Sequence, residues 1–131
     1  MDPVTALLEH DPVIAVVGAN DNPAKYGSVI YRDLKAKGYR VYPVNPRRDT
    51  VDGDPAYPDL ADLPEKPDIV NIVVPPNQTL KVLDRAAELG LDNIWVQPGA
   101  EDQAVMDRLN DGFQYLANAC IMVRARTRAA S

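Results

Sequence analysis

Three times in this chain a stretch with helical spacing stops at a glycine and a strand-like segment follows at once: Gly38-Tyr39, Gly90-Leu91 and Gly112-Phe113. Glycine readily takes the left-handed conformation that closes a helix, so each junction reads as a helix handing over to a strand. Val13-Ile14-Ala15-Val16-Val17, ahead of the first junction, is a continuous apolar run, as in strands buried on both faces. Strands and helices in alternation, with both sheet faces covered, make a parallel sheet. The expected fold is therefore α/β, a single doubly wound, Rossmann-like domain with a five-stranded parallel sheet and helices on both faces.

The strands are expected at Val13–Val17, Tyr39–Val44, Ile69–Val74, Asn93–Val96 and Phe113–Leu116. Between them Ser28–Lys37 reads as a helix with Ile30 and Leu34 one turn apart. Asn77 is placed to cap a second helix carrying Leu80, Leu83, Ala86 and Ala87, and Asp102 a third carrying Val105, Met106 and Leu109. Asp2 and Pro3 start a small helix through Leu8. The crossover from Pro46 to Pro67 is rich in Pro and Asp, with one helical turn expected at Asp59–Leu63. The 131 residues suit one domain, with a core over about 13–123. The tail 124–131 carries Arg124, Arg126 and Arg128 and reads as a frayed, solvated end or, alternatively, as a contact for a ligand phosphate or a partner subunit.

Composition narrows the function. Fourteen Lys and Arg against nineteen Asp and Glu leave a net charge of -5, which argues against a general nucleic-acid binder. No apolar stretch reaches the length of a membrane span, and the start Met1-Asp2-Pro3 is unlike a signal peptide. The single cysteine, Cys120, has no internal partner, so a reducing cytoplasm is the expected compartment. The single histidine, His10, stands apart from any Cys or His cluster and is expected on a surface helix. Neither a zinc site nor a triad-type hydrolase follows from it.

In open α/β sheets, ligands bind beyond the carboxyl ends of the strands, which selects four loops. The first, Gly18-Ala19-Asn20-Asp21-Asn22-Pro23-Ala24-Lys25-Tyr26-Gly27-Ser28, puts a glycine directly after a strand and leads into a helix, as a phosphate cradle does. It matches neither the dinucleotide fingerprint, since Asn20 and Pro23 stand at glycine positions, nor the Walker pattern around Lys25. At the end of the second strand, where NAD-binding chains usually place an acid, stand Asn45-Pro46-Arg47-Arg48. An arginine pair there suits a phosphate on the adenosine ribose, and two ligands fit: NADP with its 2′-phosphate and coenzyme A with its 3′-phosphate. Val74-Pro75-Pro76-Asn77 is a rigid loop that either walls a ligand slot or simply stops the strand. Gln97-Pro98-Gly99 offers an amide and a site of close backbone approach. Trp95 reads as core. Cys120, among apolar neighbours, reads as a small buried hydrophobe or as a thiol near a bound thiol ligand.

Together these loops resemble the small CoA-binding proteins of the Rossmann type, related to the CoA-binding domain of the succinyl-CoA synthetase α subunit. The similar segments are Val16-Val17-Gly18-Ala19, Gly38 to Pro46, Pro64-Glu65-Lys66-Pro67-Asp68, Val74-Pro75-Pro76, Ile94-Trp95-Val96-Gln97-Pro98-Gly99 and Cys120. The resemblance implies that the loop from Gly18 to Gly27, with Ser28, holds pyrophosphate. It places Asn45, Pro46, Arg47 and Arg48 near the 3′-phosphate, Val74 and Pro75 beside the adenine or ribose, and Gln97, Pro98 and Gly99 toward the pantetheine. The synthetase's phosphorylated histidine comes from a second domain and has no counterpart here, so ligase activity is not expected.

The expectation is a cytoplasmic module that binds coenzyme A or acyl-CoA without its own catalytic machinery, as a carrier, sensor or regulatory unit. Its rivals are an NADP-dependent oxidoreductase and a protein-interaction or redox module acting through Cys120.

Overall fold

The structure is a computed structural model that describes residues 2–128. In chain order it contains α1 (Pro3–Leu7), β1 (Val13–Val17), α2 (Tyr26–Ala36), β2 (Arg40–Val44), β3 (Thr50–Val51), β4 (Asp54–Pro55), a 3₁₀ turn at Leu60–Asp62, β5 (Ile69–Ile72), α3 (Pro76–Glu88), β6 (Asn93–Val96), α4 (Gln103–Leu109), β7 (Gln114–Ala117) and α5 (Ile121–Arg124). Five strands form one parallel sheet in the order β2-β1-β5-β6-β7. Every residue of β1 is buried, as its unbroken apolar run requires.

The sheet separates two cores. On one face, Val4 and Leu8 from the α1 region, Ile30, Tyr31 and Leu34 of α2, and Ile121 of α5 close over Ile14, Val16, Ile69 and Trp95. On the other, Leu83 and Ala86 of α3 with Val105 and Leu109 of α4 close over Ala15, Val70, Ile72 and Ile94. Trp95 is fully buried, and its indole N–H donates to the carbonyl of Ala119 at 2.8 Å. The edge strand β2 is guarded by sequence. The carbonyl of Pro43 accepts from the Tyr57 N–H on the outer side, where Pro43 itself offers no donor to a stray strand.

Several boundaries differ from the sequence reading. α2 starts at Tyr26 rather than Ser28, because Gly27 lets its first turn lie directly on the Gly18 carbonyl. α3 starts at Pro76, a residue suited to the first helical turn, and Asn77 does not cap it. β2 starts one residue later than expected and β5 ends two earlier, while β7 is shifted one residue, leaving Phe113 under the Arg108 guanidinium. β3 and β4 form an unforeseen hairpin whose turn residues, Asp52 and Gly53, both have positive φ. His10 is exposed but lies in a bend after α1, outside any helix.

The described part of the basic tail is docked rather than frayed. Arg124 meets Asp2 and Thr5, the Tyr39 hydroxyl donates to the Arg126 carbonyl, and the Arg128 guanidinium lies 5.6 Å from the centre of the Tyr39 ring. Burial of Ala125 and a backbone bond from Arg128 N–H to the Lys37 carbonyl fix it there. Residues 129–131 of the expected tail lie outside the described residues.

Candidate functional site

Strand order reverses between β1 and β5, and ligands of doubly wound sheets bind beyond the carboxyl ends of the strands at such a point. A cleft of about 770 Å³ opens there, within the usual range for small-molecule sites. Gly18, Asn20, Lys25, Asn45, Arg47 and Val74 line it from the loops after β1, β2 and β5.

The loop after β1 is tightly specified. Gly18 has φ +103°, and a side chain on it would run into Val74 and the Val73 carbonyl. Gly27 is equally constrained, since a Cβ there would collide with the carbonyl of Gly18. Asn20 donates to that carbonyl at 3.1 Å and accepts from the Asn22 N–H at 2.9 Å; the Asn22 side chain in turn accepts from the Ala24 N–H at 3.0 Å. Such side-chain bonds two residues along the chain hold a loop in a single course. The Asn45 amide, at the end of β2, donates to the Ala19 carbonyl at 2.9 Å and accepts from the Arg47 N–H.

Charge in the cleft opposes the charge of the whole chain. Lys25, Arg47, Lys81 and Arg85 line it, against one carboxylate, Asp59. Asp59 is already engaged. Burial works to raise its pKa, but the Ala61 N–H and the Arg85 guanidinium, 2.9 Å away, hold the carboxyl below its ordinary value. Arg85 also reaches Glu88 at 2.8 Å. Lys25, Arg47 and Lys81 have no carboxylate partner among the described residues. The N-terminal ends of α2 and α3, which reach the cleft at Lys25 and Pro75, carry no side-chain cap, whereas Asp2 and Asp102 cap α1 and α4. An uncapped N-terminus leaves backbone N–H groups free for an anion; at α3 that is the Asn77 N–H alone, because Pro75 and Pro76 carry none and the Gln78 and Thr79 N–H groups donate to the Pro75 carbonyl.

The structure thus brings Gly18, Asn20, Lys25, Asn45, Pro46, Arg47, Val74 and Pro75 onto one cleft. Ala19, Gly27 and Ser28 are buried behind it, and Asn22, Pro23 and Tyr26 are exposed on the loop without lining it. Arg48 turns away to Asp21. Gln97, Pro98 and Gly99 do not line the cleft. The Gln97 side chain is buried, donating to Asn71 at 2.6 Å and accepting from the Ile121 N–H at 3.2 Å. Cys120 is half-buried at the start of α5 and is also absent from the lining. Asn77, at the end of the loop after β5 singled out in the sequence, also lines the cleft, whereas sequence reasoning missed Gln78, Lys81, Val82 and Arg85 on α3, and Pro58, Asp59 and Leu60 in the crossover. Lys81 and Arg85, four residues apart and beside the apolar stripe of α3, were a legible sign of a basic helix face. Among the described residues no group of three or more His, Cys, Asp or Glu could hold a metal ion, and no helix is long and apolar enough to cross a membrane.

Residues 12–126 match the CoA binding domain. The chain belongs to this family. Like this CoA-binding domain, the α subunit of acetate–CoA ligase (ADP-forming) II from Pyrococcus furiosus carries a similar segment, 37% identical over 82 residues. That match covers 62% of this chain and 18% of the ligase subunit, so the chain spans a small part of the relative. An uncharacterized protein of Bacillus subtilis, YneT, is 27% identical over 92% of this CoA-binding domain chain and 90% of its own length. Among solved structures, a conserved hypothetical protein from Pyrococcus furiosus superposes with a TM-score of 0.80 and 44% identity, covering 84% of this chain and 96% of that one.

Proposed function

We propose that this CoA-binding domain takes up coenzyme A or acyl-CoA in the cleft at the β1/β5 reversal and acts as a carrier, sensor or regulatory module without catalysing a reaction itself. The observation that carries the reading is the convergence of Lys25, Arg47 and Lys81, none with a carboxylate partner among the described residues, on one cleft of an acidic chain. A ligand with a diphosphate and a further ribose phosphate answers that charge. The uncapped start of α2 offers the Tyr26 and Gly27 N–H groups and that of α3 the Asn77 N–H to the diphosphate, and Arg47, after β2, is assigned to the ribose phosphate. The family membership favours coenzyme A over NADP. Among the described residues no nucleophile–base pair lines the cleft, and a binding module is the reading that needs none.

The test is a thermal-shift and calorimetric titration with coenzyme A, acetyl-CoA, dephospho-CoA, NADP and NAD. A ligand at a hundredfold its Kd stabilises by about 2.7 kcal/mol. The reading expects a shift with coenzyme A and acetyl-CoA, a smaller one with dephospho-CoA, and loss of that difference in Arg47→Ala. A shift with NADP alone would turn the assignment to an oxidoreductase, and no shift with any of the five would remove the ligand altogether.

A further inference from the structure

The two adjacent arginines after β2 do different work. Arg47 lines the cleft, whereas the Arg48 guanidinium lies 2.6 Å from Asp21 in the loop after β1 and donates through Nε to the Thr50 carbonyl at 3.1 Å. Asp21 uses its other oxygen to accept from the Asp52 N–H at 2.7 Å. The hairpin of β3 and β4 is in turn held to α2: the Tyr31 hydroxyl donates to Asp54 at 2.6 Å, and Lys35 bridges Asp52 and Asp54 at 3.2 and 2.8 Å. The loop after β1, the end of β2, the hairpin and α2 therefore form one closed circuit of polar contacts, and Asp21 joins the loop to it through two bonds, one from the Arg48 guanidinium and one from the Asp52 N–H.

We infer that Arg48 is a positioning residue, with Asp21 as its partner: the pair clasps the loop from Asn20 to Lys25 in its ligand-ready course and touches no phosphate. The inference takes its ligand from the coenzyme A reading above. An ordered loop needs no reordering on binding, and apparent affinity falls in proportion to the fraction of molecules with the loop in place. Both side chains are about 40% exposed, so the pair contributes little to global stability while still bearing on where the loop sits.

The experiment compares the full chain with Arg48→Ala, Arg48→Lys, Asp21→Ala and Arg47→Ala, by amide hydrogen exchange over Asn20–Lys25 and by calorimetry with coenzyme A and dephospho-CoA. The clasp expects faster loop exchange in Arg48→Ala and Asp21→Ala. Both ligands weaken together in these variants, about tenfold if a tenth of the molecules keep the loop in place, and Arg48→Lys recovers most of the loss. Arg47→Ala leaves loop exchange unchanged. If Arg48 were instead a phosphate ligand restrained by Asp21, Asp21→Ala would free it and tighten coenzyme A, and Arg48→Ala would cost coenzyme A more than dephospho-CoA; either result overturns the clasp. Unchanged loop exchange in Arg48→Ala also overturns it. Absence of coenzyme A binding to the unaltered chain would overturn the ligand reading alone, with the exchange data still deciding whether the clasp exists.

Discussion

The Asn45 side-chain amide donates to the carbonyl of Ala19 at 2.9 Å while its oxygen accepts from the Arg47 N–H at 2.9 Å, so one residue ties two ligand-facing loops together. Asn45 stands where a dinucleotide-binding chain would carry an acid. Asn45→Asp keeps the acceptor and removes the donor, setting a carboxylate against a carbonyl. It is expected to destabilise by about 1–3 kcal/mol, as for a polar group left unmatched, and to weaken coenzyme A without creating affinity for NAD. Thermal melts and titration with both ligands check this; new binding of NAD would show that Asn45 sets ligand choice rather than loop geometry.

Gly27→Ala drives a methyl group into the carbonyl of Gly18, a backbone group that no side-chain rotation can clear, and crowds the Asn20 amide. The expected cost is about 1–3 kcal/mol, in the range of overpacked sites, together with loss of ligand binding because the loop after β1 must shift. Urea denaturation measures the first effect and calorimetry the second. A variant with unaltered midpoint would mean that α2 can slide away from the loop at no cost.

Lys81 lies on the exposed side of α3, faces the cleft and has no carboxylate partner among the described residues. Lys81→Gln is expected to leave the melting temperature in place and weaken coenzyme A by about 1.5–3 kcal/mol, the worth of a hydrogen bond to a charged group. The salt dependence of binding should flatten with it. Equal affinity at low and high salt in both proteins would remove Lys81 from the site.

How much of this was visible beforehand depended on the range of the interaction involved. Strand cores such as Val13–Val17 and Asn93–Val96 are specified by their own apolar runs, and Asp102 caps α4 through its bond to the Val105 N–H. The site loops were legible because the topology fixes where strand ends meet. Their individual side chains were not. Arg47 and Arg48 are neighbours in sequence, and only the position of Asp21, 27 residues from Arg48, separates their roles. Gln97 likewise looks like a free amide after a strand until Asn71 and the Ile121 N–H converge on it. The docked tail depended on Tyr39, far away in the chain, and the hairpin's strands are too short to show a period.

The network around α2 makes stability depend on pH. Hydrogen bonds from Lys35 and then Tyr31 hold the Asp54 carboxyl below its ordinary value of 3.8, and the bonds to Asp54 and then Asp52 hold the Lys35 ammonium above 10.5. A lowered carboxylate pKa means that the unfolded chain binds the proton more readily, so this stability is present above about pH 4 and lost as pH falls through the folded value. For Lys35 the sign is opposite: its share is present below about pH 10 and lost as pH rises through the folded value. Asp54→Asn should flatten both limbs of the curve of melting temperature against pH. Acid and alkaline limbs as steep as those of the unaltered chain would show that the hairpin's ion pairs do not hold it to α2.

Gln97 decides between a structural and a ligand-facing role for the loop after β6. Its amide is buried, and both ends are used, one on Asn71 and one on the Ile121 N–H. Asn71 is itself fully buried, and among the described residues its amide nitrogen has no partner and its oxygen accepts from Gln97 alone. Gln97→Leu strands the Asn71 oxygen and the Ile121 N–H together, at about 1–3 kcal/mol for each group left unpaired. The stability loss should be large and the affinity for coenzyme A, measured well below the melting temperature, unchanged. Retained stability with weakened acetyl-CoA binding would instead place this amide on the acyl or pantetheine end of the ligand, and would require the β6 loop to turn toward the cleft when the ligand enters.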